Sequence, residues 1–150
     1  MIETHQFVQY AQHPELALEN LAELLSFMNS EDESAQNLAT EALENCGPPS
    51  RKELVFLLSQ LSSSEESNVY WASTLLGRFK PGGDKERVEL QQSLCNAICK
   101  LDNTLAARER ATWAIGELGS VNQECRRLLS SQIPDAPPRL KRLLESALHI

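Results

Sequence analysis

An internal repeat limits what this chain can fold into more than any other feature. Placed in register, residues 35–47 (AQNLATEALENCG), 68–80 (NVYWASTLLGRFK) and 107–119 (ARERATWAIGELG) share a small residue at Ala39, Ala72 and Ala111. A large aliphatic residue follows four positions later at Leu43, Leu76 and Ile115, and glycine closes two of the three stretches at Gly47 and Gly119. The steps are 33 and 39 residues, and a further step of 33 from Ile115 reaches Leu148, with Leu144 in the small-residue slot and Leu140 one turn earlier. Periods of this size mark repeat architectures, in which each unit is a supersecondary element that buries its apolar face only by stacking on a neighbour.

Each stretch follows another helical run: LALENLAELLSFM, RKELVFLLSQL, ERVELQQSLCNAICKL and NQECRRLLSSQI. Each unit is therefore two helices. In the second run Leu54, Leu57, Leu58 and Leu61 form the i, i+3, i+4, i+7 stripe of a one-sided helix. Short polar links (SEDES, SSEES, LDNT) join the helices of a unit. The breaks Gly47-Pro48-Pro49-Ser50 and Lys80-Pro81-Gly82-Gly83-Asp84 separate units, with Ser50 and Asp84 placed to cap the helices that follow. No strand pattern competes. The expectation is an all-α chain, an α-solenoid of about four helical pairs in a right-handed stack. It is one domain over 1–150, with units at about 14–47, 50–80, 84–119 and 121–150 and an N-terminal helix around 3–12 as a cap. The six extra residues of the third unit fall around PGGDKERVELQQ and lengthen its first helix or the loop before it.

These units resemble HEAT repeats, especially the short kind related to phycobilisome-lyase HEAT-like repeats. In that family the second helix reads as a small or branched residue, often followed by arginine, then Ala, then Leu-Gly, then a closing Gly. Ala107-Arg108, Ala111, Ile115-Gly116 and Gly119 match this well, and Asn68, Ala72 and Leu76-Gly77 match in part. The first unit has Gln36 for the arginine and Glu44 for the glycine, and the fourth is degenerate. The resemblance spans nearly the whole chain and implies a fold rather than an activity. Glycine inside a helix costs up to ~1 kcal/mol relative to alanine, so Gly77 and Gly116 fit places where a neighbouring helix comes close. The TPLHxA pattern of ankyrin repeats and the W…LG…Y pattern of tetratricopeptide repeats are absent.

Charge and composition restrict function. The net charge is −7, and residues 1–50 hold nine Asp or Glu and no Lys or Arg, whereas residues 51–150 hold fourteen basic and twelve acidic residues. The acid block (Glu15, Glu19, Glu23, Glu31, Asp32, Glu33, Glu41, Glu44) either serves solubility alone or favours a basic partner, or the basic end of a second copy, so self-association is compatible with it. It disfavours nucleic acid, for which only Arg126, Arg127, Arg139, Lys141 and Arg142 could build a patch. No run approaches the ~18–20 apolar residues of a membrane span, and no leader is apparent, which predicts a cytoplasmic protein. Cys46, Cys95, Cys99 and Cys125 form no CxxC pair and fit small core residues in a reducing compartment. His5, His13 and His149 lie at the chain ends, and no phosphate loop, nucleophile elbow or metalloprotease motif occurs. The His-Glu dipeptide of HEAT-like iron hydroxylases is absent as well. No catalytic residue, metal or cofactor is expected.

The function expected is a non-catalytic module that holds a protein or peptide on the concave surface lined by the second helices. The repeat subtype implies as alternatives a chaperone or lyase-like protein for a bilin or similar chromophore, or a DNA-binding HEAT-like protein of the glycosylase kind. In residues 106–119 the buried stripe is Ala107, Ala111, Ala114, Ile115 and Leu118, and at ~100° per residue Trp113 points away from its centre. By the same projection Tyr70 opposes Ala72, Leu75, Leu76 and Phe79, while Trp71 lies on the flank. Trp113 shares its repeat slot with Thr74 and Glu41, and Tyr70 shares its slot with Asn37 and Glu109. These six form two rows along the concave face, bordered by Arg78, Arg110 and Glu117. The aromatics are either contact residues or covered by the curvature of the stack or by the long third unit.

Overall fold

The computed structural model describes residues 9, 10 and 12–150; His5 and most of the expected 3–12 helix lie outside the described residues. The chain divides into two compact units, Met1–Pro49 and Ser50–Ile150. Among the described residues every regular element is helical and no strand occurs.

The first unit holds α1 (Pro14–Glu19), α2 (Leu21–Met28) and α3 (Glu33–Asn45). Proline starts α1, where its missing N–H is no loss. The run expected as one helix breaks at Asn20, whose Nδ2 donates to the Leu16 carbonyl (2.8 Å) while its backbone N–H turns to the Ala17 carbonyl. Such side-chain bonding competes with the helix ladder, which explains the break. Asp32 caps α3 by accepting from the N–H groups of Ser34 and Ala35. Ala39, Ala42 and Leu43 turn inward with Leu21, Leu24 and Leu25, and all eight acid-block carboxylates named above are exposed.

The second unit holds α4 (Arg51–Gln60), α5 (Glu66–Arg78), α6 (Asp84–Cys99), α7 (Leu105–Glu117), α8 (Gln123–Gln132), a 3-10 turn (Ile133–Asp135) and α9 (Pro138–Leu148). Neighbours in sequence pair: α4 with α5, α6 with α7, α8 with α9. The second helices also contact one another in order, α5 with α7 and α7 with α9, and α6 contacts α8. Ala72, Leu75 and Leu76 of α5 with Phe79 at its C-cap, Ala107, Ala111, Ala114 and Ile115 of α7 with Leu118 at its C-cap, and Leu140, Leu144 and Leu148 of α9 are all buried, as the repeat register predicts. The extra residues of the third pair lie within the helix itself, since α6 has 16 residues against 10 in α4.

Caps and buttresses fix the turns. Ser50 accepts from the Lys52 N–H and caps α4 as expected, but the residue capping α6 is Gly83 rather than Asp84. Asp84 begins the helix and pairs with Arg87 at 3.1 Å, so its charge meets the positive end of the helix instead. Arg51 forks onto Glu86 with two 3.1 Å bonds. The Gly82 N–H and that guanidinium hold the Glu86 carboxyl below the ordinary carboxylate range. Arg108 donates from Nε to the Ile98 carbonyl at the end of α6 and from Nη2 to Gln132 of α8. Buried Gln91 donates to the Ser120 carbonyl (3.0 Å) and accepts from Asn122, fixing the loop after α7, where Gly119 takes the left-handed conformation (φ 110°). Cys46, Cys95 and Cys125 are buried free thiols, and Cys99 is half-buried.

The two in-helix glycines differ. A Cβ on Gly77 would stand 2.6 Å from Trp113 Cζ3 and 3.0 Å from Ala114 Cα, whereas one on Gly116 would meet Ala147 at an ordinary 3.7 Å. Alanine should therefore have opposite effects at the two sites. At Gly77 the overpacking, roughly 1–3 kcal/mol, exceeds the helix-propensity gain of up to ~1 kcal/mol, and urea unfolding should show a loss. At Gly116 the same measurement should show a gain. Equal effects at both positions would contradict the close approach of α5 and α7. Leu76→Asp or Ile115→Asp, each placing an unpaired charge at a fully buried site, should unfold the second unit by circular dichroism, since total stability is only ~5–15 kcal/mol.

Candidate binding groove

The side-by-side packing of α5, α7 and α9 leaves a hollow of about 330 Å³ on their shared face. Tyr70 lines it from α5, Ala106, Glu109, Arg110 and Trp113 from α7, and Arg139 and Leu143 from α9. A second hollow of about 220 Å³ continues along α7 and α9 past Trp113 and Leu143, reaching Glu117, Ser146 and His149. Trp113 and Leu143 border both, so the two hollows form one groove running along α7 and α9.

Arg110 sits at its centre. Its guanidinium carbon lies 5.1 Å from the Tyr70 ring centroid and 4.6 Å from that of Trp113, so one cation faces two aromatic π-systems. Its Nε donates to Thr74 Oγ1 (2.9 Å), and Thr74 Oγ1 in turn donates to the Tyr70 carbonyl (2.9 Å). Tyr70 meets Trp71 edge-on at a centroid distance of 5.5 Å. Across the hollow Glu109 Oε2 lies 3.3 Å from Arg139 Nε; the Glu109 side chain is only 15% exposed, whereas that of Arg139 is 79% exposed.

Four of the nine residues singled out from the repeat register, Tyr70, Glu109, Arg110 and Trp113, meet in the first hollow, and Glu117 borders the second. Thr74 differs from expectation: it is 1% exposed, buried beneath Arg110, and positions that arginine instead of facing the groove. Arg78 is half-buried at the end of α5 and lines neither hollow. Asn37 and Glu41 are exposed on α3 of the first unit, and both hollows are built by residues of the second unit alone. Trp113 is half-buried, with one ring edge lodged against Gly77 and the rest of the side chain bordering both hollows. Trp71 on the flank is buried.

The groove residues of α9 were not anticipated, because the fourth repeat is degenerate in composition. A signal was present nonetheless: the step of 33 maps Ala106 onto Arg139, Arg110 onto Leu143 and Trp113 onto Ser146, all of which line the groove. Among the described residues no three His, Cys, Asp or Glu side chains gather as metal ligands, and no helix is long and apolar enough to cross a membrane. No protein-family model, curated protein or solved structure matches the chain.

Thr74→Val keeps the side-chain shape and removes the Arg110 anchor. It should cost about 1 kcal/mol, the net worth of a typical hydrogen bond, and shift the tryptophan emission as Arg110 loosens over Trp113. A variant with unchanged melting and unchanged emission would show that the bond does not hold Arg110 in solution.

Proposed function

We propose that this protein is a non-catalytic interaction module, a short HEAT-like solenoid that holds a protein or peptide in the groove along its second helices. The observation that carries this reading is the half-exposed Tyr70–Arg110–Trp113 cluster inside a concave hollow on the face where α5, α7 and α9 lie side by side. Tyr, Trp and Arg dominate binding hot spots because each contributes a large contact area at low conformational-entropy cost or with a directed charge. The cluster is also braced from below by Thr74 and Gly77, which reduces the ordering cost of binding. The solenoid reading is supported by the consecutive contacts of the second helices and by the buried small-residue and aliphatic slots of the repeat. Free thiols at all four cysteines suit a reducing, cytoplasmic setting. The exposed acid block of the first unit would draw basic partners.

The test is affinity capture from native lysate with wild-type protein, Tyr70→Ala and Trp113→Ala. Because Trp113 is only partly buried, its truncation should cost about 1–2 kcal/mol, less than the ~3–5 kcal/mol of a fully buried aromatic. Captured proteins should disappear with either variant while the fold persists. Equal capture by all three, or unfolding on truncation, would contradict the proposal.

A further inference from the structure

The geometry points to a carboxylate as the anchor of whatever peptide occupies the first hollow: an Asp or Glu side chain seated on Arg110, with an apolar neighbour lying against Leu143 and Trp113. This inference rests on the groove's being a peptide-binding surface and specifies the chemistry of its occupant. An arginine carries five N–H donors in a planar fork. Here Nε is taken by Thr74 Oγ1 and the faces of the fork are directed by the rings of Tyr70 and Trp113, while Nη1 and Nη2 have no hydrogen-bond partner among the described residues. The remaining edge presents two N–H groups from a side chain that is already fixed, the geometry that accepts a carboxylate through two parallel bonds. Fixing it in advance lowers the entropy lost when the anion arrives.

Charge in the hollow sets the number and kind of anion. Arg139 faces Glu109 at 3.3 Å, so those two charges offset each other and Arg110 is left as one uncompensated cation. One carboxylate matches it. A polyanion such as a nucleic-acid backbone would meet Glu109 in the same hollow and Glu117 further along the groove, on a chain whose net charge is −7. The rest of the lining is apolar, from Ala106, Leu143 and the aromatic rings. A volume of about 330 Å³ suits an anchor residue and one neighbour, near the lower end of the usual range of ~300–1,000 Å³ for ligand sites. The groove therefore prefers a short acidic-apolar motif, whereas the acid block of the first unit favours basic partners.

Selection of random dodecapeptides displayed on phage against the full-length protein tests this, with the selected sequences then synthesised and titrated. Peptides that lose binding with Trp113→Ala should carry Asp or Glu beside Leu, Ile or Phe. Replacing that acid by its amide should weaken binding by about tenfold or more, the usual worth of a charge-assisted bidentate contact. Arg110→Lys, which keeps the charge and loses both the fork and the Nε bond to Thr74, should weaken the acidic peptide to a similar degree, with a melting change no larger than that of Thr74→Val. Trp113-dependent peptides that are neutral or basic would overturn the carboxylate anchor and leave the groove reading standing, as would acidic ones that bind Arg110→Lys as tightly as wild type. A selection yielding no peptide sensitive to Trp113→Ala would overturn the groove reading and the anchor with it.

Discussion

The second unit is organised by the close approach of α5 and α7 at Gly77. With no side chain there, the backbone of Ala114 and the ring edge of Trp113 move in to distances that a Cβ would crowd. The consequences propagate outward. Trp113, which a helical projection turns away from its own core, becomes wedged along one edge and is held at a fixed angle, and its position gives Arg110 an aromatic surface to lie over. Arg110 can then reach across to Thr74 on α5 and cover it, which ties the two helices together a second time, above the glycine. The glycine costs helix propensity locally and is offset by packing that a side chain at that position would disturb.

The rest of the second unit supports α7, the helix that supplies most of the groove. Arg108 ties its first turn to the last turn of α6 and to α8, and Gln91 holds the loop that leaves it through Gly119. These bonds lie away from the groove and use polar groups that are part-buried, where an unmet donor or acceptor is expensive. In the proposed role a rigid α7 would matter for recognition, because the site would consist of side chains whose value lies in being fixed before a partner arrives. Loosening the helix by a few tenths of an ångström would leave Tyr70, Arg110 and Trp113 in place chemically but no longer aligned with one another.

Much of this was legible in the sequence, and the parts that were not share a physical cause. Periodicity placed Ala72, Leu76, Ala111 and Ile115 in the core, because burial along a helix depends on its own 3.6-residue repeat. The same projection brought Tyr70, Glu109, Arg110 and Trp113 to one face. It misjudged Thr74, since a helical wheel says nothing of how near the next helix comes or that an arginine from it will cover the slot. For the same reason it left Trp113 as either contact or core, when the ring serves both packing and groove. Asn20 was hidden within a run of good helix formers, its effect depending on one side-chain bond to Leu16. Arg139 and Leu143 followed from the 33-residue step, but the degenerate composition of the last pair concealed them.

The central claim is that Arg110 is already held over Tyr70 and Trp113, tethered to Thr74, in the unbound protein. Nitrogen-edited nuclear magnetic resonance of the free protein observes this at the Arg110 side chain itself. Two stacked rings should shift the Arg110 side-chain protons well upfield of ordinary arginine positions, and the bond to Thr74 should protect its Nε–H from exchange with water. Arginine-like shifts together with rapid Nε–H exchange would mean that the cluster forms only in part or not at all, and the account of a preformed anchoring site would fail.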